Sequence, residues 1–282
     1  MIILDMNQIS VASLMMQLNM DKTDVVDENM VRHMILNSVR MYRTQFVKDY
    51  GELVLAWDSK HYWRRDYFPH YKKNRRKNRA KDGKDWESIF NCLNKIKQEL
   101  SDFFPYKNIE VHGAEADDVI ATLVKEYPNE KIIIVSGDKD FIQLQKYSNV
   151  TQYSPILKKY VNGEDPADYI RVHILKGDSS DGVPNVLSND DVFVEGLRQK
   201  PLSKKKIEAW KDGDFTGKIV NDNVIRNYER NKTLIDLECI PSEISENIKT
   251  TFQEAKYGDK SKLLTYFIEN RLKELTESIG DF

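Results

Sequence analysis

The sequence predicts an α/β fold with a mostly parallel sheet flanked by helices, and three observations support this prediction. Short apolar runs of the kind that form buried strands occur at residues 2–4, 53–57 and 132–135. Segments with helical spacing separate these runs, and an aspartate follows each run directly or after two residues. Because open α/β sheets bind ligands beyond the carboxyl ends of their strands, these aspartates are expected to meet in one site.

The other elements follow from the same spacing rules. Residues 150–153 are a further strand candidate. A turn-rich stretch at 162–166 marks a compositional break, which predicts two parts, 1–165 and 166–282. Apolar residues near helical spacing predict helices at residues 28–50, 86–104, 119–127, 169–175, 204–210, 223–237, 243–251 and 261–279.

Composition limits the classes of partner and compartment. Lys and Arg number 43 against 45 Asp and Glu, so a nucleic-acid partner must be bound by locally segregated charge. Cys92 and Cys239 lie outside any CxxC pattern, which predicts reduced thiols. No apolar run reaches transmembrane length, which predicts a soluble protein that is not exported.

Residues 114–144 carry carboxylates in two groups, on both sides of the third predicted strand. The first group is Glu115, Asp117 and Asp118, and the second is Asp138 and Asp140. Such acids can simply be helix caps and turn formers. Two groups at the ends of one helix-strand unit favour a metal site instead, because clustered carboxylates repel one another unless cations join them.

Two further acids follow in the stretch KGDSSDGVPNV. Asp178 and Asp181 are three residues apart, and on one helical turn they could face the same cation. Taken alone, this stretch also suits an ordinary turn. The segment 212–223 resembles half of a calcium loop but ends in Asn223 where Glu is required, and the five scattered histidines make zinc chemistry improbable.

Residues 60–84 form a basic segment that carries eleven Lys or Arg against two Asp, with aromatic residues between them. A charged run is often just a solvated surface. Mixed with aromatics and placed directly after an acidic strand end, it favours phosphate contact and base stacking. Pro69 and Gly83 predict a broken, mobile element.

The assembled acids predict a two-metal hydrolase. Carboxylates without imidazole or thiolate favour Mg²⁺, with Mn²⁺ as a substitute, and nine carboxylates exceed the needs of one ion. Two such ions can activate water and stabilise a leaving oxygen, which is the chemistry of phosphodiester hydrolysis. The nine candidates are Asp5, Asp58, Glu115, Asp117, Asp118, Asp138, Asp140, Asp178 and Asp181.

The order of these motifs resembles the structure-specific 5′ nucleases, a family that includes flap endonucleases and the 5′-nuclease domain of bacterial DNA polymerase I. The matching elements are Asp5, Asp58, a YKxxR element at 71–75, and the stretches GAEADD, SGDKDF and KGDSSD. The stretches YWRRD and YKKNR point to the bacteriophage branch. After KGDSSD the family commonly continues NIPGVPGIG, whereas this chain reads GVPNVLSND, so an intact phosphate-binding glycine hairpin is not expected.

The resemblance implies a PIN-like nuclease domain, a helical arch at about residues 60–90, and a C-terminal helical DNA-binding region containing a helix-three-turn-helix element. By position, all nine acids would serve two Mg²⁺ ions. Catalytic roles would fall to Asp5, Asp58, Asp117, Asp138, Lys72 and Arg75, the last two holding the scissile phosphate. Nucleic acid would be bound by Arg64, Arg65, Tyr71, Lys72, Lys73, Arg75, Arg76 and Arg79.

The implied activity is 5′ to 3′ exonuclease and flap endonuclease cleavage that removes RNA primers and adjacent DNA in phage-type lagging-strand replication. The implied substrates are DNA and RNA-DNA hybrids with 5′ ends or flaps. Implied partners are a single-strand binding protein and a sliding clamp, with a monomer acting in the host cytoplasm and no membrane. Two alternatives stay open: a Mg²⁺-dependent phosphatase or phosphotransferase using Asp138 and Asp140, and a catalytically silent DNA-binding replication protein.

Overall fold

A six-stranded sheet lies at the centre of the computed structural model, which describes residues 1–215 and 220–282. Strands β1 to β5 pair in parallel, and β6 pairs antiparallel with β5. The prediction of a mostly parallel sheet is confirmed. The strands are β1 (Ile2–Asp5), β2 (Leu53–Ala56), β3 (Lys107–Ile109), β4 (Ile132–Val135), β5 (Val150–Ser154) and β6 (Lys159–Tyr160).

The strand order reverses its direction of growth between β1 and β4. The order is β3-β2-β1-β4-β5-β6, so the chain builds outward from β1 first to one side and then to the other. The register pairs Leu4 with Val135, so both strands end at the same level. Loops that leave this point run in opposite directions and open a crevice, which is the ligand site of doubly wound sheets.

Helices cover both faces of the sheet. Along β1, Ile2 and Leu4 belong to one buried cluster and Ile3 belongs to the other, as the alternation of side chains on a strand requires. The described helices are α1 (Met6–Asp21), α2 (Glu28–Tyr50), α3 (Trp63–Tyr67), α4 (Lys73–Arg79), α5 (Trp86–Phe103), α6 (Ala116–Glu126), α7 (Pro166–Lys176), α8 (Lys204–Trp210), α9 (Asp222–Ile235), α10 (Ser242–Glu254), α11 (Leu263–Glu269) and α12 (Lys273–Thr276). Short 3₁₀ helices occupy Lys139–Lys146, Leu237–Cys239, Lys260–Lys262 and Ile279–Asp281.

The C-terminal helices pack against the same two faces as the N-terminal ones. Phe267 and Leu275 join the cluster of α1, α2 and α5, while Phe252 joins the cluster of α6. Residues from both sides of position 165 therefore share cores. The division of the chain at that position stays a prediction.

Several elements differ from the predicted ones. The single helix predicted at 261–279 is wrong, because the chain turns at Arg271, whose φ of 57° is left-handed, and α11 ends before it. Helix α1 and strands β3 and β6 were not predicted from the sequence. No helix of the described residues is long and apolar enough to cross a bilayer. The calcium-loop candidate at 212–223 lies partly outside the described residues.

The shared core makes a stability prediction at two adjacent positions of α11. Phe267 is fully buried, with its ring centroid 6.0 Å from that of Phe104 and 5.3 Å from that of Phe282. Phe267→Ala should lower the free energy of unfolding in urea by about 3–5 kcal/mol, because it leaves a cavity. The control Ile268→Ala, at a position 65% exposed, should change it by less than about 1 kcal/mol. Equal effects would show that α11 does not pack as described.

Candidate metal and nucleic-acid site

The site forms where the carboxyl ends of β1 and β4 meet. Asp5, the last residue of β1, is 6% exposed. Its carboxylate accepts hydrogen bonds from the backbone N–H of Gln8 at 3.1 Å and from the Ser136 hydroxyl at 2.8 Å. Ser136 directly follows β4, so this hydrogen bond joins the ends of the two central strands. Asp5 is thereby fixed at the reversal point of the sheet.

Other predicted acids reach the same edge from neighbouring loops. Asp58 follows β2 and accepts a hydrogen bond at 2.8 Å from the backbone N–H of Ala116, which starts α6. Asp117 lies in the first turn of α6. Asp138 follows β4 and accepts a hydrogen bond at 2.9 Å from the backbone N–H of Asp140, so it caps the next 3₁₀ helix. Three crossovers of the chain thus deliver acids to one edge.

These acids are held in an environment that opposes their ionisation. Burial raises the pKa of Asp5 to about 6, and the charges of Asp58 and Asp138 contribute to the rise. Burial and the charge of Asp138 hold the pKa of both Asp117 and Asp140 well above the usual value. Burial also raises the pKa of Asp58 and of Asp138. Clustered carboxylates with raised pKa values need protons or added cations to balance them.

A second set of acids is already balanced by cations of the chain. Glu115 is 1% exposed and accepts hydrogen bonds from Lys72 Nζ at 2.5 Å and Arg64 Nη1 at 2.9 Å. Burial alone would raise the pKa of Glu115, but Lys72 and Arg64 outweigh it, so the pKa lies below its usual value. The Tyr71 hydroxyl lies 3.0 Å from Glu115 and 2.8 Å from Asp181 and links these two carboxylates.

Arg64 and Asp118 lie in a different place from the one predicted. Asp118 is fully buried, and its carboxylate lies 2.8 Å from Arg64 Nη2 and accepts the backbone N–H of Glu115 at 2.9 Å. It completes a capping box at the start of α6. Arg64, at 3% exposed, cannot reach a nucleic acid from this position, and Asp118 has its charge matched without a metal ion. The pair is structural.

Asp178 and Asp181 are not on one helical turn, and that expectation is wrong. They lie in a turn after α7, where Asp178 Oδ1 accepts hydrogen bonds from the backbone N–H and the hydroxyl of Ser180, both at 2.7 Å. Asp181 faces the basic segment: it pairs with Arg75 and lies 3.5 Å from Lys72 Nζ. Asp178 instead faces His173, at 3.8 Å from its Nε2. The two acids therefore have different neighbours.

The side chains of the basic segment point in two directions, some towards the buried acids and others towards solvent. Lys72 and Tyr71 are buried at 8% and 4% exposure and point to the acids, so this part of the segment is not a solvated surface. Arg75 is partly exposed and contacts Asp181. Arg79 stacks over Trp86 with its guanidinium carbon 4.8 Å from the ring centroid. Of the residues predicted to bind nucleic acid, Arg65, Lys73 and Arg76 are exposed to solvent.

His173 and Gln8 also lie at the site and were not predicted from the sequence. Gln8 accepts a hydrogen bond from the backbone N–H of Gly137 at 2.6 Å and so holds the loop before Asp138. His173, Asp140 and Asp178 offer ligand atoms that all lie within 4.8 Å of one another. A solvent-open cavity of about 810 Å³ runs along these residues. Neither residue could be recognised from its neighbours in the sequence, because Gln8 contacts Gly137 and His173 contacts Asp140, each more than 30 positions away.

The chain matches two protein-family models. Residues 2–170 match the model described as 5′-3′ exonuclease, N-terminal resolvase-like domain, and residues 165–282 match the model described as T4 RNase H, C terminal. The ribonuclease H of Enterobacteria phage T4 is 36% identical over 292 residues, covering 99% of this chain and 95% of that protein. The 5′-3′ exonuclease of Buchnera aphidicola subsp. Schizaphis graminum is 35% identical over 147 residues, covering 48% of each.

A solved structure shares the fold. It is the flap endonuclease of bacteriophage T5 in a pseudo-enzyme-product complex with DNA and metal ions. It superposes with a TM-score of 0.63 at 15% sequence identity, covering 90% of this chain and 97% of that chain. At this identity the likeness establishes a common architecture.

Two adjacent arginines test the division between buried and exposed cations. Arg64→Ala should lower the free energy of unfolding by about 3–5 kcal/mol, because it leaves the buried Glu115 and Asp118 carboxylates short of a cation. Arg65→Ala removes an exposed side chain and should change it by less than about 1 kcal/mol while weakening binding to DNA. Chemical unfolding and DNA titration of both variants give the comparison. A small stability loss for Arg64→Ala would contradict the structural role.

Proposed function

The chain belongs to the family of 5′-3′ exonucleases that includes the flap endonucleases, and from this premise we propose that it cuts phosphodiester bonds near 5′ ends with two Mg²⁺ ions held by its carboxylates. The family predicted from the motifs is confirmed by the match over residues 2–170 and by the similarity to the phage T4 protein along almost the full chain. The chain is a nuclease and therefore a hydrolase. Metal identity, site residues, substrate preference and partners belong to the proposal.

One observation carries the metal assignment: five carboxylates at the sheet edge have raised pKa values and lack a matching cation, while the acids beside them are paired. Carboxylate oxygens are the ligands that Mg²⁺ and Mn²⁺ prefer. The fit is therefore one of charge and of donor type. The unpaired acids are Asp5, Asp58, Asp117, Asp138 and Asp140.

We assign the residues to two neighbouring positions. Asp5, Asp58, Asp117 and Asp138 would hold the first ion at the sheet edge, and Asp140, Asp178 and Asp181 would form the second position near α7. Glu115 would act through Lys72 and Tyr71, which tie it to Asp181. A bound pair of divalent ions would supply an activated water and stabilise the leaving oxygen.

The chain's own cations would place the substrate. Arg75 lies at the rim of the acidic cluster on Asp181, and Lys73 and Arg76 are solvent-exposed on α4. The Arg75 guanidinium has enough N–H donors to bind an incoming phosphate while it stays paired with Asp181. Lys72 is buried on Glu115, so its role would be to fix that carboxylate and to offset negative charge at the site. Phosphate contacts by Arg65, Lys73, Arg75, Arg76 and Arg79 would make binding salt-dependent.

Residues 166–282 would bind the duplex beside the cleft. After α7 the chain runs through turns from 178 to 196, and the helix-three-turn-helix element stays a prediction there. The glycine hairpin expected in the family is replaced by a turn that α9 supports, since Asn227 Nδ2 donates to the carbonyls of Val186 and Ser188, both at 3.0 Å. Arg226 on α9 is largely exposed and pairs with Asp190 at 2.7 Å, so a phosphate would compete with Asp190 for its guanidinium.

The likeness to the T4 ribonuclease H supports removal of RNA primers and adjacent DNA as the biological task. The substrates would be DNA and RNA-DNA hybrids with 5′ ends or flaps. A monomer would act in the host cytoplasm during phage replication, alongside a single-strand binding protein and a sliding clamp.

A cleavage assay tests the proposal. The protein is incubated with 5′-labelled flap, nicked-duplex and RNA-primed substrates in Mg²⁺ or EDTA, beside a small phosphate ester. Cleavage is expected with Mg²⁺ only, and Asp138→Asn should slow it by a factor on the order of 100 or more while DNA binding persists. The control is Asp168→Asn, which lines the same cavity but is paired with Lys211 at 2.8 Å, and it should cleave nearly normally.

Hydrolysis of the ester without cleavage of DNA would favour a phosphatase. Metal-dependent cleavage that survives in Asp138→Asn would contradict the site assignment. Binding to every DNA substrate with no cleavage would favour a silent DNA-binding protein.

A further inference from the structure

The imidazole of His173 lies between two acids of the proposed second metal position. Its Nδ1 is 3.4 Å from Asp140 Oδ1 and its Nε2 is 3.8 Å from Asp178 Oδ2. One ligand atom from each of His173, Asp140 and Asp178 lies within 4.8 Å of the other two, which is close enough for the three to hold one metal ion. The set therefore mixes one nitrogen donor with carboxylate oxygens.

The fold fixes the position of this imidazole. His173 lies in the last turn of α7, which begins at Pro166 after the Asp165 cap and ends at Lys176, with Gly177 as its C-cap. One turn earlier, the Tyr169 ring packs edge-on against the imidazole at 5.4 Å between centroids. The side chain is only 15% exposed, so it cannot swing freely into solvent. The helix delivers the nitrogen donor to the acids as a rigid part of the fold.

The hydrogen-bonding state of His173 points to a ligand. Its Nδ1 is buried and has no hydrogen-bond partner among the described residues, although a carboxylate faces it. A buried polar atom without a partner is costly. A metal ion between the imidazole and the carboxylates would satisfy the nitrogen and the acids together.

The donor set has a consequence for metal choice. Mg²⁺ strongly prefers oxygen ligands and gains little from an imidazole. First-row transition ions bind nitrogen donors well, with affinity rising from Mn²⁺ through Co²⁺. The cluster around Asp5, Asp58, Asp117 and Asp138 offers carboxylates, so the two positions differ in ligand chemistry.

We propose that His173 is a metal-binding and specificity-determining residue, which lets the position at Asp140 and Asp178 bind a first-row transition ion more tightly than Mg²⁺, while Mg²⁺ can still occupy it. This inference rests on the proposed function, because it takes these acids as the second metal position. The scattered spacing of the histidines in the sequence argued against zinc chemistry. The fold places the His173 imidazole near Asp140 and Asp178, which the spacing of the histidines does not indicate.

Direct metal binding tests the inference. Co²⁺ is titrated into the full chain and followed by its visible absorption and by calorimetry, and Mg²⁺ affinity is measured in parallel. His173→Gln should weaken Co²⁺ binding at one position by about tenfold or more and alter the absorption bands, whereas Mg²⁺ affinity should change by less than about twofold. The control is His112→Gln, at an exposed histidine stacked on His61 with centroids 5.7 Å apart, and it should behave as wild type.

A second measurement uses only the wild-type protein and so does not depend on the variant. In the wild-type protein with Co²⁺, a bound imidazole should give a strongly shifted, exchangeable N–H proton resonance. The inference is overturned if this resonance is absent, if His173→Gln leaves Co²⁺ binding unchanged, or if Mg²⁺ and Co²⁺ affinities fall equally. Thermal unfolding in EDTA shows whether the variant is folded.

The same samples separate this inference from the proposed function. Suppose that the wild-type protein cleaves DNA in Mg²⁺ but His173→Gln leaves Co²⁺ binding unchanged. This result would overturn only the role of His173. Absence of cleavage under all metals would overturn the proposed function, and the Co²⁺ titration would still report on the metal position.

Discussion

The structure depends on how negative charge is balanced at one edge of the sheet. Buried carboxylates are costly unless a cation or a proton accompanies them. Here the chain supplies cations to some acids only: Arg64 and Lys72 reach Glu115, and Arg75 reaches Asp181. Asp5, which lies at the same edge of the sheet, has no cation beside it, and burial raises its pKa to about 6. The unbalanced acids form the part of the site that is open to added ions.

The topology explains why this imbalance occurs where it does. The reversal between β1 and β4 places Asp5 and the Ser136 hydroxyl in contact, and the start of α6 brings Asp117 to the same edge. The basic segment crosses this edge from one side and delivers its buried cations to Glu115 and Asp118. Its other cations stay exposed. One segment thus both stabilises the fold around the site and presents positive charge to solvent, and neighbouring residues divide the two tasks.

Much of the fold could be predicted because it follows from local pattern. β4 and α2 match their predicted bounds, since a buried apolar run and a long helical period are visible along the sequence. Helix α1 was missed because polar Ser10, Ser13 and Gln17 are buried on its inner side, which blurs the apolar spacing. The three residues of β3 are too few to show alternation.

Prediction of the site from the sequence is limited for a different reason. Residue type indicated that Arg64 and Arg65 both bind nucleic acid, yet one is buried and the other exposed, because direction depends on the partner element. Asp118 shares its motif with Asp117 but faces Arg64 across the fold. His173 reaches Asp140 only because α7 packs on the 3₁₀ helix Lys139–Lys146. Composition and order therefore reveal which acids gather, and only tertiary contacts reveal which of them are already paired.

Proton release on metal binding tests the central claim most directly. Burial raises the pKa of Asp5 to about 6, so this carboxyl group is partly protonated near pH 6, and a divalent ion that binds it must displace the proton. Calorimetry of Mn²⁺ binding to the wild-type protein at pH 6, in buffers of different ionisation enthalpy, measures this number. We expect release of about half a proton or more per protein, since a pKa raised to about 6 leaves Asp5 half protonated at pH 6, and burial also raises the pKa of Asp117 and Asp140. Binding without proton release would mean that the acids are already ionised and balanced, which would contradict the account.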